Sequence, residues 1–236
     1  MKPNLKEEKK LWGKRFKRVV GLDEAGRGPL CGPVVAAAVM IKISNLKSQI
    51  SKRNLKSQIL KGKGIKDSKK LSAKKREEFY EKITKNPAIK WGIGRVSEKV
   101  IDKINILEAT KLAMARAIKN LEKKLEKQKY HIFGDRKKVG IVDFLLLDGN
   151  FKINSSIPQK SIVKSDEKVF SCACASILAK VCRDRIMMHY HKRYPKYRFD
   201  LHKGYPTKFH LKMLKKYGPC KIHRKSFEPV KKLLNC

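Results

Sequence analysis

Short apolar runs of strand length alternate with longer stretches of helical spacing along most of this 236-residue chain. The strand-like runs lie at residues 18–22, 33–43, 90–96, 141–147 and 159–163. Apolar residues at helical spacing predict helices at 72–85, 97–128 and 169–191, and shorter ones at 207–216 and 226–233. Strands that alternate with helices predict an α/β layer fold with a small helical extension at the C-terminus.

A polar segment at residues 44–63 interrupts this alternation after the second predicted strand. It contains the hexapeptide NLKSQI twice, at 45–50 and 54–59. Two copies without an apolar face large enough for a core predict an expanded basic loop and not a repeat architecture.

The charge of the chain predicts a polyanionic partner. Lysine and arginine number 59 against 21 aspartates and glutamates, which gives a net charge of +38. An excess of this size attracts phosphates. A lysine-rich genome that biases every surface is the alternative, and it explains part of the excess.

The cysteines and the N-terminus indicate a reducing compartment. None of the six cysteines stands in a C-x-x-C pair, so neither zinc spacing nor a disulfide framework is visible. The first ten residues are polar, and no stretch approaches the ~18 apolar residues of a membrane span. We therefore expect a cytoplasmic protein with no membrane partner.

Carboxylates stand where two of the apolar strands stop. Asp23 and Glu24 end the first strand, and Asp148 ends the fourth. Neighbouring strand residues point to opposite faces, so Asp23 and Glu24 converge on one ion only if the strand breaks there, and the glycine-rich turn at 26–29 supplies a break. Adjacent carboxylates at the edge of a core are costly unless a hard divalent cation binds them. The sequence thus predicts metal-assisted phosphodiester hydrolysis.

Other polar residues are ambiguous when they are taken alone. Asp166, before the helix at 169–191, is more typical of a helix cap than of a metal ligand. Asp184, between two arginines in that helix, is more typical of an ion pair on the helix surface. Gly26 and Gly28 offer backbone N–H groups to a phosphate or sugar, but such triplets occur in many tight turns.

Five separated blocks of the sequence resemble the ribonuclease HII family. They are GLDEAGRGPLCGPVVAAAV at 21–39, DSKKLS at 67–72, LLLDGN at 145–150, SDEKVFSCACASILAKVCRDRIM at 165–187, and HKGYPTKFH with YGPCKIHRKSF at 202–227. They occur in the order of the family and span nearly the whole chain. The resemblance implies a ribonuclease H-like fold, with a mixed central sheet flanked by helices. It also implies a catalytic domain at 1–193, with the loop 44–63 inserted, and a helical extension at 194–236.

The resemblance also assigns roles to residues. The four acids of the family's metal site fall on Asp23, Glu24, Asp148 and Asp166, so for Asp166 it reverses the cap interpretation. The remaining assignments concern substrate: Gly26, Arg27, Gly28 and Tyr205 read the 2′-hydroxyl of the ribonucleotide, and Lys69 and Lys70 contact backbone phosphates. Arg183 and Asp184 match an arginine–aspartate pair of the family's long helix, for which we expect a structural role.

The implied enzyme is an endonuclease dependent on Mn²⁺ or Mg²⁺. It cuts the RNA strand of RNA–DNA hybrids and single ribonucleotides in duplex DNA, and leaves 5′-phosphate and 3′-hydroxyl ends. A monomer is expected, and binding to a replication clamp is left open. Two alternatives remain, a non-catalytic basic RNA-binding protein and another ribonuclease H-like nuclease. One departure from the family is Pro206, which follows Tyr205 where the family has glycine and puts the position of the tyrosine in question.

Overall fold

The computed structural model describes residues 3–42, 71–133 and 141–234. The predicted loop at 44–63 lies outside the described residues, as do Lys69 and Lys70.

A five-stranded mixed sheet forms the centre of the fold. Its strands are β1 (Val19–Ala25), β2 (Val34–Ile41), β3 (Ile89–Val96), β4 (Phe144–Asp148) and β5 (Gln159–Ile162). Their order across the sheet is β3-β2-β1-β4-β5. The first three strands pair antiparallel, whereas β4 runs parallel to β1 and β5 parallel to β4. The predicted α/β class with a mixed sheet is confirmed.

Helices cover both faces of the sheet and form the C-terminal extension. They are α1 (Lys6–Gly13), α2 (Ala73–Lys85), α3 (Glu98–Phe133), α4 (Phe170–Arg193), α5 (Phe199–His202), α6 (Lys208–Tyr217) and α7 (Val230–Leu234). Single 3₁₀ turns lie at Ser165–Glu167 and Pro195–Tyr197. Two helices begin at a side-chain cap: the hydroxyl of Ser72 accepts from the N–H of Lys75, and that of Thr207 from the N–H of His210.

Helix α3 departs from the predicted uninterrupted helix. Its backbone leaves helical geometry at Asn105, where φ is 64° and ψ 168°. The side chain of Asn105 accepts from the N–H groups of Leu107 and Glu108, at 2.9 and 3.1 Å. Asn105 therefore caps a second helical segment, a role that asparagine performs well and that the spacing of apolar residues does not reveal.

Helix α1 lies in the polar N-terminal segment, where the sequence pattern predicts no helix. Its Glu8 is buried, and Oε1 accepts from the backbone N–H and the hydroxyl of Ser171, at 2.9 and 2.8 Å. Ser171 is the second residue of α4, whose own N-cap Val169 provides no side-chain hydrogen bond. A glutamate distant in the sequence thus accepts a hydrogen bond from a backbone N–H in the first turn of α4, where the helix itself offers no acceptor.

The sheet separates two apolar cores. One core packs Val20, Leu22 and Ala36 against α3, and the other packs Ala37 and Val39 against α4. Because side chains alternate along a strand, residues of β1 also divide between the two cores. This alternation decides which face receives each acid of β1.

Candidate active site

Asp23 and Asp148 lie side by side at the carboxyl ends of two adjacent parallel strands. The last paired residues of β1 and β4 are Leu22 and Leu147, and each aspartate is the residue that follows. The carboxyl ends of parallel strands are where α/β folds place ligands. Sheet pairing therefore brings together two acids that are 125 residues apart in the sequence.

The predicted strand break at Asp23 and Glu24 is wrong. Strand β1 continues to Ala25, with Asp23 opposite Ala37 and Glu24 opposite Ala36 in β2. Since Ala37 belongs to the α4 core and Ala36 to the α3 core, the two acids lie on opposite faces. The chain turns only at Gly26, where φ is +100°.

Each of these two acids has its own neighbours. The carboxyl group of Asp23 is hydrogen-bonded to the side chain of Ser176 in α4, and its Oδ1 accepts from the N–H of Glu24 at 2.7 Å. On the other face, Oε1 of Glu24 lies 3.4 Å from Nη1 of Arg27. The antiparallel pairing with β2 holds the backbone of both acids in place, and the charge of Glu24 still acts strongly on the carboxyl group of Asp23.

Asp166 is buried in the 3₁₀ turn before α4 and is not its cap, because α4 begins at Phe170 with Val169 as the N-cap. The N–H of Ser165 donates to Oδ1 of Asp148 at 2.6 Å, which ties this turn to the end of β4. The cap interpretation is therefore wrong for Asp166, and the turn carries it to the other acids.

The four acids interact electrostatically. Burial raises the pKa of Asp23 well above its usual range, and the negative charges of Glu24, Asp148 and Asp166 raise it further. The hydrogen bond from Ser176 acts in the opposite direction. Carboxylates that oppose one another's ionisation have the chemistry to hold a divalent cation.

Two buried arginines donate hydrogen bonds to the backbone of the glycine turn and of the segment that follows it. Arg183 of α4 donates to the backbone oxygens of Cys31 and Pro33, at 3.2 and 3.1 Å. Arg224, from the C-terminal extension, donates to the backbone oxygens of Gly26 and Arg27, at 2.6 and 2.9 Å. These bonds fix the path of the turn from which the side chain of Arg27 projects.

Tyr205 lies beside this turn. A Cβ atom added to Gly28 would lie 3.8 Å from Cε1 of Tyr205. The tyrosine side chain is 41% exposed, and the guanidinium of Arg183 lies 5.9 Å from its ring centroid. The N–H of Leu30 donates to the backbone oxygen of Gly204 at 2.9 Å, which holds the segment of Tyr205 against the turn despite Pro206.

Sequence reasoning missed several residues that build this region. Ser176 and Arg224 both belong to blocks matched by the resemblance, yet nothing in their local sequence indicates a contact with Asp23 or with the glycine turn. Arg183 has the structural role expected of it. Asp184 forms the expected ion pair within its helix, 2.7 Å from Nζ of Lys180.

Comparison with known proteins identifies the family. The model of the family described as Ribonuclease HII matches residues 20–230. A ribonuclease HII of Aquifex aeolicus is 47% identical over 230 residues, which cover 98% of this chain and 99% of that protein. The chain belongs to the ribonuclease HII family.

Solved structures agree with this assignment at the level of the fold. The ribonuclease H2 of Pyrococcus horikoshii has a TM-score of 0.61 at 23% identity, and covers 92% of this chain and 97% of its own. The ribonuclease HII of Archaeoglobus fulgidus, described in a complex with PCNA, has a TM-score of 0.58 at 24% identity, and covers 89% and 95%. The predicted ribonuclease H-like fold is confirmed.

As a member of the ribonuclease HII family the protein is an enzyme, an endoribonuclease of the ribonuclease H type. Of the alternatives left open by the sequence, the family assignment disfavours both the non-catalytic RNA-binding protein and a different ribonuclease H-like nuclease. Within the described part of the chain, no helix combines the length and the apolarity required to cross a bilayer.

Proposed function

We propose that this ribonuclease HII hydrolyses the RNA strand of RNA–DNA hybrids and cuts at ribonucleotides embedded in duplex DNA, leaving 5′-phosphate and 3′-hydroxyl ends. The observation that carries the proposal is a group of carboxylates at the carboxyl ends of β1 and β4. There the negative charges of three further acids raise the pKa of the buried Asp23. A catalytic role for Asp23, Glu24, Asp148 and Asp166 follows from this arrangement.

The donor set fits hard divalent cations. It consists of carboxylate oxygens, the ligands that Mg²⁺ and Mn²⁺ prefer, and the mutual repulsion of the acids is what a cation relieves. We infer that Asp23, Glu24, Asp148 and Asp166 hold two such ions. When bound, they supply a water of lowered pKa and neutralise charge on the leaving oxygen.

The remaining residues of the site have positioning roles. The hydrogen bonds of Ser176 and of the Glu24 N–H orient the carboxylate of Asp23. The bond from the N–H of Ser165 orients Asp148 in the same way. Fixed carboxylates hold reacting groups in line without reorganisation during the reaction, which is the main contribution that a protein makes to phosphodiester hydrolysis.

Recognition of RNA is assigned to the turn and the tyrosine. Gly26, Arg27 and Gly28 form a bend in which the buried Arg224 donates to two backbone oxygens, and the exposed Tyr205 lies beside Gly28. We infer that together they contact the 2′-hydroxyl of the ribonucleotide, the group that distinguishes RNA from DNA. Lys69 and Lys70 keep their predicted role as phosphate contacts outside the described residues.

Three further expectations are kept as part of the proposal. The division into a catalytic domain at 1–193 and an extension at 194–236 is supported by the helical character of the latter. The cytoplasm is supported by the five free cysteines among the described residues, which suit a reducing compartment. A monomer remains the expected state.

The test uses three duplexes of one sequence: an RNA–DNA hybrid, a DNA duplex with one ribonucleotide, and an all-DNA duplex. With Mg²⁺ or Mn²⁺ we expect cleavage of the first two and none of the third, and EDTA should abolish all cleavage. End-group analysis should find 5′-phosphate and 3′-hydroxyl termini. Cleavage of the all-DNA duplex, or turnover in EDTA, would contradict the proposal.

A further inference from the structure

Three buried side chains outside the acidic site bring metal-binding atoms together. They are Cys31, which follows the glycine turn, and His210 and His223 of the C-terminal extension. The sulfur of Cys31 and one ring nitrogen of each histidine all lie within 4.8 Å of one another. None of the three takes part in the proposed cleavage.

The hydrogen bonds around the histidines identify the nitrogens that face inward. Nδ1 of His210 lies 2.9 Å from the backbone oxygen of Tyr205, so it carries a proton and leaves Nε2 as an acceptor. That Nε2 lies 3.1 Å from Nε2 of His223. Nδ1 of His223 lies near both the N–H and the carbonyl oxygen of Cys220, at 2.9 and 3.3 Å, so either tautomer of this ring finds a partner.

The hydrogen bonds of the two histidines resemble those that orient metal-binding histidines in other proteins. A histidine that ligates a metal typically donates its other ring N–H to a backbone carbonyl, as His210 does to Tyr205 and His223 does in one tautomer to Cys220. Two nitrogens bound tetrahedrally to one zinc ion at about 2.0–2.1 Å would lie roughly 3.3 Å apart. The observed separation of 3.1 Å between the two Nε2 atoms is close to that value.

Burial raises the pKa of the Cys31 thiol, so a bound metal ion has to displace its proton, and two neighbouring arginines oppose the effect of burial. Arg183 donates to the backbone oxygen of Cys31 and Arg224 to that of Gly32, which places two buried guanidinium groups beside the cysteine. Their positive charge offsets part of the effect of burial and stabilises the thiolate that a bound metal ion would require. Met187 packs in the same apolar cluster as Cys31 and contributes a soft, polarisable side chain.

We propose that Cys31, His210 and His223 form a site for one thiophilic d¹⁰ metal ion, Zn²⁺ or Cu⁺. A thiolate with two imidazole nitrogens selects such ions, whereas Mg²⁺ and Mn²⁺ favour the oxygens of the acidic site. The ion would join Cys31, just after the glycine turn, to His210, which holds the backbone of Tyr205. It would thus fasten together the two segments assigned to reading the ribonucleotide.

The test measures metal binding by the full chain and does not depend on cleavage. With excess Mg²⁺ present to occupy the acidic site, the metal-stripped protein is titrated with Zn²⁺, and anaerobically with Cu⁺, and the bound metal is measured by elemental analysis. Co²⁺, a spectroscopic substitute for Zn²⁺, should give a sulfur-to-metal charge-transfer band. We expect one equivalent of bound metal per chain, and the comparison of the two titrations tells which ion is preferred.

The variants make the result specific. Cys31→Ala and His223→Gln should each lose the equivalent and the charge-transfer band, while Cys174→Ala, which removes a buried thiol from the separate α4 core, should keep both. Circular dichroism checks that each variant is folded, and Cys31→Ser serves as a second, size-matched variant. Wild-type protein that takes up no Zn²⁺ or Cu⁺, or Cys31→Ala with an unchanged band, would overturn the proposal in favour of a metal-free histidine pair.

Discussion

Nη2 of Arg224 donates a hydrogen bond of 2.6 Å to the backbone oxygen of Gly26, across 198 residues of sequence. The same guanidinium reaches the backbone oxygens of Arg27 and Gly32, at 2.9 and 3.0 Å. Burial lowers the pKa of Arg224 to about 9, so the group stays charged at neutral pH. One side chain of the C-terminal extension thereby shapes the turn that we assign to substrate recognition.

Replacing Arg224 with lysine should lower the rate of cleavage although the four acids are unchanged. Lysine keeps the charge but lacks the planar fork that serves several carbonyl oxygens at once. A displacement of the turn by about 1 Å is expected to lower kcat/KM on the order of 100-fold, and the carbonyls left unpaired should cost about 1–3 kcal/mol of stability. Steady-state kinetics and thermal unfolding measure the two effects.

The matched control is Arg185→Lys, which alters an arginine of α4 that is ion-paired with Glu77 at the surface. It should change neither quantity appreciably. A normal kcat/KM in Arg224→Lys would show that the turn keeps its shape without the planar guanidinium group of Arg224.

Replacing each of the two glycines of the turn with alanine should separate an effect on stability from an effect on ribonucleotide recognition. At Gly26 φ is +100° and a Cβ would lie 2.1 Å from Nε of Arg183, so Gly26→Ala is expected to cost about 1–3 kcal/mol or more. At Gly28 the nearest atom would be 3.8 Å away, in Tyr205, so Gly28→Ala should fold within about 0.5 kcal/mol of wild type. If the backbone at Gly28 approaches the sugar, Gly28→Ala should still cleave a single ribonucleotide poorly. Full cleavage by Gly28→Ala would remove this glycine from the recognition site.

The variant Asp23→Asn should be inactive, yet more stable than wild type in the absence of metal. The pKa of Asp23 is raised in the folded state, so its contribution to stability is fully present below the unfolded pKa of about 3.9 and is lost as pH rises through the folded value. Asparagine removes that loss, and the melting temperature in EDTA at neutral pH should rise by about 2–4 °C for each kcal/mol recovered. Thermal melts across pH, with and without Mg²⁺, measure this.

Two further observations belong to that experiment. Mg²⁺ should stabilise the wild type but not Asp23→Asn, and duplex affinity should remain nearly intact in the variant. The same inactivity with retained affinity is expected for Asp148→Asn. Retained turnover at saturating Mg²⁺ would exclude the substituted residue from the metal site.

The variant Tyr205→Phe tests discrimination between RNA and DNA. The side chain is 41% exposed and lies beside Gly28, so removal of its hydroxyl should not disturb packing. Duplex binding should be nearly normal, while cleavage at a single ribonucleotide should fall on the order of 100-fold if the hydroxyl orients the sugar. The same duplex with 2′-deoxyribose at the target is the control and should stay uncut. Equal rates for Tyr205→Phe and wild type would leave recognition to Gly26, Arg27 and Gly28.

Salt should weaken binding steeply. With a net charge of +38, most of the affinity is expected to come from phosphate contacts, so the logarithm of the binding constant should fall linearly with the logarithm of the salt concentration. Titrations of an uncleaved duplex in EDTA at several salt concentrations measure the slope. A shallow slope would mean that the charge is a general bias of the surface.

The sequence by itself predicted the five strands, the longer helices and two of the four candidate acids. Apolar runs predicted all five strands to within a few residues, and Asp23 and Asp148 stood out because each ends such a run in a very basic chain. Local patterns suffice here because strand and helix periodicity, capping and strand ends are properties of a few adjacent residues. The role of Asp166, whose local pattern favours a cap, required the resemblance to the family.

Only the tertiary structure decided how these residues meet. The pairing of β1 with β4 places Asp23 beside Asp148, and the pairing of β1 with β2 keeps the strand intact past Glu24, against the predicted break. Glu8 and Arg224 likewise gained their roles from partners far away in the sequence, which their local sequence does not indicate. The physical reason is that a buried polar group must find a partner wherever the fold offers one, and that partner is set by packing between distant segments.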